Sequence, residues 1–227
     1  YSPKSGESRI PPIVQSTTFA YDSTQAMADL FDLKADGYFY TRLANPTVAA
    51  FEGKVAALEG GVAAIGCASG MSAILLMALT LCGSGDNIVS SAAIYGGSFN
   101  LFAVTLPKLG IQTRFFDPDD SAEDIEKLIK IIDFEKIANI AQKHGIVYAD
   151  DNTLATPVLC KPFDWGVNVV VHSSSKYLDG HAAALGGVIV DGGNFNFKGN
   201  KRYASFNEPD ESYHGLVYAD LPAAQFA

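Results

Sequence analysis

Hydrophobic and polar positions along the chain fall into two regimes. Up to about residue 46 the apolar residues are scattered among Pro, Ser, Thr and aromatics. The spacing there predicts only one short helix, around Thr24 to Leu33, so this stretch reads as an arm rather than part of a core. From there helical and strand patterns alternate. Asn45-Pro46-Thr47 opens a helix in which Phe51, Val55 and Leu58 recur at helical spacing, Gly60-Gly61 closes it, and a short apolar strand, Val62 to Ile65, follows. Ser69-Gly70 starts a helix from Met71 to Cys82 that is apolar on most sides and so must be buried. Asn87 to Ser90 reads as a strand, Gly96-Gly97 leads into a helix through Leu109, and Ile111 to Phe116 reads as the next strand. Ser121 starts a helix with acidic residues early and basic ones late, as its dipole favours. A helix over Phe134 to His144 and strands Ile146 to Ala149 and Val167 to Val171 complete the series.

This alternation predicts an α/β fold with a mostly parallel sheet sandwiched by helices. One junction departs from it. The helix Ser121 to Lys130 passes through Ile131-Ile132 straight into the next helix, with no room for the strand that a right-handed crossover requires. The expectation is therefore that residues are missing near position 131, and the abrupt Gln225-Phe226-Ala227 suggests more beyond 227. The predicted organisation is an N-terminal arm over 1–46 and a large domain over 47–227.

Composition narrows the class. A formal charge of −9, from 25 acidic and 16 basic residues with no Lys/Arg block, argues against nucleic-acid binding. The longest apolar run, Ala73 to Cys82, falls well short of the ~20 residues that span a bilayer, and the amino-terminal stretch has no apolar signal region. Cys67, Cys82 and Cys160 are odd in number, without metal-ligand spacing, and read as small buried thiols in a reducing compartment. A cytoplasmic protein without a metal site is expected.

In an open α/β sheet, ligands bind beyond the carboxyl ends of the strands. Those ends carry Ser69-Gly70-Met71, then Tyr95, then Asp150-Asp151-Asn152, then Ser173, Ser175 and Lys176. Singly each has an ordinary explanation: a solvated lysine, an Asx turn at Asp151, a tyrosine at the core edge, a serine helix cap. Together they are complementary. Helix-start N–H groups at Gly70 and Met71 with the Ser173 and Ser175 hydroxyls suit a phosphate. A carboxylate and an amine from different strand ends could face each other across a flat ligand on which an aromatic stacks. Pyridoxal 5′-phosphate has one phosphate, one basic ring nitrogen and one aldehyde, and it needs a lysine for a Schiff base and an acid opposite the nitrogen; Lys176 and Asp151 supply these. Neither GxGxxG nor GxxxxGK[ST] occurs, which counts against nicotinamide and nucleotide-hydrolysis readings.

The motifs YTRLANPT, CASGMSAI, IYGGSFNLF, ADDNTLATP and HSSSKYLDGH, in that order over about positions 38 to 187, resemble the fold-type I PLP enzymes of cysteine and methionine metabolism. That group includes cystathionine γ-synthase, cystathionine γ-lyase and methionine γ-lyase. IYGGSFNLF, TLPKLGI, GGVIVDGGNF and EPDESYHGLVY look most like the O-acetylhomoserine sulfhydrylases. The resemblance implies that Lys176 binds the cofactor covalently and shuttles protons, Asp151 pairs with the pyridinium nitrogen, and Tyr95 stacks on the ring as a candidate second proton carrier. It implies that Gly70, Met71, Ser173 and Ser175 hold the phosphate, and that Tyr40 and Arg42 reach the phosphate of a neighbouring subunit's cofactor. A shared site makes a dimer the least unit, and the family is usually a dimer of dimers. The reaction implied is γ-replacement, converting O-acetyl-L-homoserine and sulfide to L-homocysteine and acetate in methionine biosynthesis. The sulfur donor stays open between free sulfide, a thiol and a carrier protein. Cystathionine γ-synthase or a γ-lyase of the same group is the nearest alternative, and a non-catalytic protein retaining the PLP fold is the alternative of another class. The family's ring-contacting asparagine near position 131 and its carboxylate-binding arginine in a C-terminal domain have no counterpart in this sequence.

Overall fold

The computed structural model describes residues 2–32, 34–117 and 134–221. The expected helix Ser121 to Lys130, its junction at Ile131-Ile132 and the last six residues lie outside them. Two compact units divide between Val55 and Ala56.

In the first unit, helix α1 (Thr24–Phe31) starts where the Ser23 hydroxyl accepts the Ala26 N–H at 3.1 Å. The arm around it is pinned by side chains bonding to backbone. Asn45 donates from Nδ2 to Val14 O at 3.0 Å, while the Thr47 hydroxyl donates to Pro12 O at 2.7 Å and accepts the Val14 N–H at 2.9 Å. An antiparallel bridge joins Thr18 to Tyr40. Helix α2 (Pro46–Glu59) follows, with Pro at its first position and the Asn45 side chain accepting the Thr47 N–H at 2.9 Å. It ends in the second unit at Gly60, whose φ of +83° is a left-handed conformation that glycine adopts freely.

The second unit alternates as predicted. In order come β1 (Ala63–Cys67), α3 (Gly70–Leu81), β2 (Asn87–Ser91), a helix α4 (Gly96–Asn100), β3 (Gln112–Phe116), α5 (Phe134–His144), β4 (Ala149–Asp151), α6 (Thr156–Leu159), β5 (Val169–His172) and β6 (Gly187–Asp191). After α4 the backbone continues as a π-helical turn over Leu101–Thr105 and a 3₁₀ turn over Leu106–Leu109, so the stretch expected as one regular helix changes winding twice. The α/β class holds. Four strands form a sheet in the order β1-β6-β5-β4, and β2 pairs with β3 in parallel in a two-stranded sheet. Parallel pairing extends to β4 with β5, but β6, not foreseen as an element, runs antiparallel to both its neighbours. Its run GVIVD shows no alternation because Gly187, Val188 and Val190 are all buried, a pattern that periodicity cannot distinguish from other buried segments. Strands β1 and β4 also sit about two residues later than the apolar runs suggested.

Ile74 and Ala78 of α3 pack with Leu101, Phe102, Leu106, Ile111 and Val171. Leu106 and Ile111 are almost wholly removed from water, each worth roughly 1.5–3 kcal/mol of burial. The full burial expected of α3 is corrected by its Leu76 and Leu79, which stay exposed in the single chain. Among the described residues no helix is long and apolar enough to cross a membrane.

Candidate active site

Helix α3 points its amino end at the end of β5. Its cap is a reciprocal pair: the Ser69 hydroxyl accepts the Ser72 N–H at 3.1 Å, and the Ser72 hydroxyl accepts the Ser69 N–H at 2.8 Å. This leaves the first-turn amides of Gly70 and Met71 without intrahelical partners, as at any helix start, and with the positive end of the dipole behind them. Gly70 has no room to be anything else. A Cβ there would stand 2.5 Å from Ser173 Cβ and 3.0 Å from its Oγ, so the absent methyl is what lets the helix start meet the serine. On the other side, a Cβ on Gly187 would stand 2.2 Å from Ser69 O.

Tyr95, 70% exposed, sits at the start of α4 and reaches the same place. Its ring lies over Gly97, where a Cβ would meet Tyr95 Cε1 at 2.5 Å and Met71 Sδ at 3.2 Å. Asp151 ends β4 in register with Val171 of β5. Its Oδ1 accepts the Thr153 N–H at 3.2 Å and the Thr153 hydroxyl, and that hydroxyl accepts the Ser173 N–H at 2.8 Å. Thr153 thus joins the acid to the serine on the next strand. Sequence reasoning missed it, since a threonine two residues after an aspartate signals only a local turn.

Lys176 is exposed in the turn Ser174–Leu178 that follows β5, where its backbone leaves helical geometry (φ −102°, ψ −121°). Ser175 faces the loop instead of open space: its Oγ accepts the Gly186 N–H at 2.9 Å and donates to Gly186 O at 3.2 Å. The hydroxyl therefore anchors the return into β6. Tyr40 and Arg42 lie in the first unit, with the Arg42 guanidinium 5.2 Å above the Tyr40 ring centroid.

Behind the strand ends is a buried polar layer. Glu59 and His172 are fully buried side chains, and His172 Nε2 lies 2.5 Å from Glu59 Oε1. Asn152 donates to the same oxygen at 2.9 Å and to Cys160 O at 3.0 Å. Burial pushes the neighbouring Asp150 carboxyl up to about 6, with the charges of Asp151 and Glu59 acting the same way and His172 opposing them. A separate concavity lined by Gln142, Asn168, Asn194 and Asn200 lies at the amino end of β5, away from these groups. Its amides bond within the protein, from Asn168 to Asn194, from Asn194 to Val167 O and from Asn200 to Gly145 O.

The cluster of Gly70, Met71, Tyr95, Asp151, Thr153 and Ser173 fits pyridoxal 5′-phosphate in one testable respect: a cradle that a Cβ would fill stands between a helix start and a serine, beside a carboxylate. An α/β protein with a helix start, an acid and a lysine at the ends of strands fits the PLP-binding class. The chain belongs to the family described as Cys/Met metabolism PLP-dependent enzymes, whose profile matches residues 2–130 and 123–213. It is 42% identical to a homocysteine synthase of Schizosaccharomyces pombe over 94% of this chain and 54% of that protein. It is 41% identical to an O-acetyl-L-homoserine sulfhydrylase of Leptospira meyeri over 94% of this chain and 52% of the relative. A solved structure of a candidate O-acetylhomoserine (thiol)-lyase from Campylobacter jejuni, carrying N′-pyridoxyl-lysine-5′-monophosphate, matches with a TM-score of 0.92 and 41% identity. That match covers 99% of this chain and 60% of the other. The chain spans about half the length of the curated relatives it matches.

Proposed function

We propose that this chain carries the cofactor site of an enzyme that replaces the acetate of O-acetyl-L-homoserine with sulfide, giving L-homocysteine and acetate. The observation that carries the reading is the close approach of the α3 start at Gly70 to Ser173, which Thr153 links to Asp151, in a chain about 40% identical to homocysteine synthases and O-acetylhomoserine sulfhydrylases. When bound, PLP supplies an electron-withdrawing ring that makes protons on an amino acid's α- and β-carbons removable.

The residues divide that work. The Gly70 and Met71 amides and the Ser173 hydroxyl hold the phosphate, and Asp151 holds a proton on the ring nitrogen, its carboxylate oriented by Thr153. Lys176 would anchor the cofactor and, as a free amine, would carry protons to and from carbon. Tyr95 covers the ring and is the second proton carrier. Ser175 supports the turn that holds Lys176. Tyr40 and Arg42 complete the phosphate site of a neighbouring protomer, so the working unit is a dimer or a dimer of dimers in the cytoplasm.

The deciding experiment offers purified protein O-acetyl-L-homoserine with sulfide in one arm, and methionine or cystathionine in the other. Homocysteine formation in the first arm supports the reading. Turnover only in the second would replace it with a lyase or synthase of the same family.

A further inference from the structure

Glu59 is a fully buried acid to which the reading above gives no role, yet one of its oxygens receives both Asn152 and His172. Asn152 directly follows Asp151, and His172 directly precedes Ser173. Strand alternation fixes the geometry. Asp150 pairs with Val170 and Asp151 with Val171, so His172 and the side of β4 marked by Asp150 share one face, while Asp151 and Val171 share the other. The end of α2 thus grips both strand ends from the face opposite the carboxylate. The Asn152 N–H also bonds Val171 O at 3.1 Å, continuing the ladder through this point.

The grip is poorly explained by stability. Among the described residues Glu59 Oε2 and His172 Nδ1 are buried without a partner, and the Glu59 charge is one of the causes that raise the nearby Asp150 carboxyl. Well-packed apolar residues of the same volume are often at least as stable as such a buried pair. The hydrogen bonds that the cluster does make, from both strand ends to one oxygen, are of the kind that hold the groups above them in place.

We infer that Glu59 and His172 are positioning residues for the cofactor. By tying Asn152 and His172 to one atom, Glu59 sets the separation of the Asp151 and Ser173 strand ends, and hence the fit between ring nitrogen and phosphate. The inference rests on the PLP reading above. The test compares unsubstituted protein with Glu59→Met and Glu59→Gln, each stripped of cofactor and titrated with PLP while the visible absorption band and the thermal midpoint of the cofactor-free form are followed. Glu59→Met should bind PLP about tenfold more weakly or worse, with a displaced band, and its thermal midpoint should fall because Asn152 and His172 lose their acceptor. Glu59→Gln, which keeps an acceptor for Asn152, should recover most of the affinity. A purely structural role would lower the midpoint and leave both affinity and band in place, and that outcome overturns the inference. If Glu59→Met does not fold, Asn152→Leu is titrated in its place, with the same outcomes deciding. Failure of the unsubstituted protein to bind PLP would overturn the cofactor reading itself, whereas normal binding with unaffected variants overturns only the positioning role.

Discussion

At the residue scale, what separates the reactive groups from their neighbours is surroundings rather than type. Asp150 and Asp151 are adjacent, yet only Asp150 is turned toward the buried Glu59 and His172, and its carboxyl is raised to about 6. A folded pKa above the unfolded value of 3.8 means that the native state holds the proton longer. The associated stability is complete below about pH 4 and is lost as pH rises through about 6. Asp150→Asn should therefore match the parent at pH 4 and exceed it by up to ~3 kcal/mol at pH 7.5, as urea unfolding at the two values would measure. A gain that is equal at both would contradict the shift. Lys176→Ala, by contrast, changes an exposed side chain, so its unfolding free energy should move by less than ~0.5 kcal/mol while turnover disappears. Borohydride reduction followed by peptide mass analysis should fix the cofactor at Lys176 in the parent alone.

At the element scale, the site is a meeting of ends held by missing side chains. Helix α3 reaches Ser173 because Gly70 has no Cβ, and the approach of β6 to Ser69 O depends on Gly187 in the same way. Gly70→Ala must push the helix start off β5, at a cost of about 1–3 kcal/mol, and PLP affinity should fall with it. Calorimetry and a PLP titration on one sample check both, and a variant that binds as tightly as the parent would remove Gly70 from the cradle. Thr153→Val tests the other junction, since it deletes the hydroxyl that serves both Asp151 and Ser173 and leaves the Ser173 N–H seeking another partner. An unsatisfied group of this kind costs about 1–3 kcal/mol, and the loss should appear in cofactor affinity as well as in unfolding.

At the scale of the whole molecule, Tyr40 and Arg42 stand in one compact unit and the cradle in another. If they serve a neighbouring protomer, Arg42→Ala and Lys176→Ala damage the same site from opposite subunits. A mixed dimer of the two variants then keeps one intact site. Each variant alone should be nearly inactive, and an equal mixture refolded together should recover about a quarter of parental activity. No recovery in a mixture shown to form dimers would place the pair in its own subunit's site or outside the site.

Much of this was readable in the chain. Gly60, Ser69 and Gly70 announce the α2 end and the α3 start through capping chemistry that is local, and the apolar runs place Gly70, Asp151, Ser173 and Lys176 at strand ends, where an α/β sheet presents side chains. Strand β6 was not readable as an element, since a strand buried on both faces loses the alternation that marks strands, and its antiparallel direction is settled only by pairing with β1 and β5. Nor were the roles of Glu59, Asn152, Thr153 and His172. Glu59 is 93 residues from Asn152 and 113 from His172, and no period or spacing links partners so distant. The sequence by itself determined which residue types stand at which strand ends, because short-range backbone chemistry writes those boundaries. Only the tertiary structure decided which of them share an atom, because that depends on how the strands are ordered and which face each side chain takes.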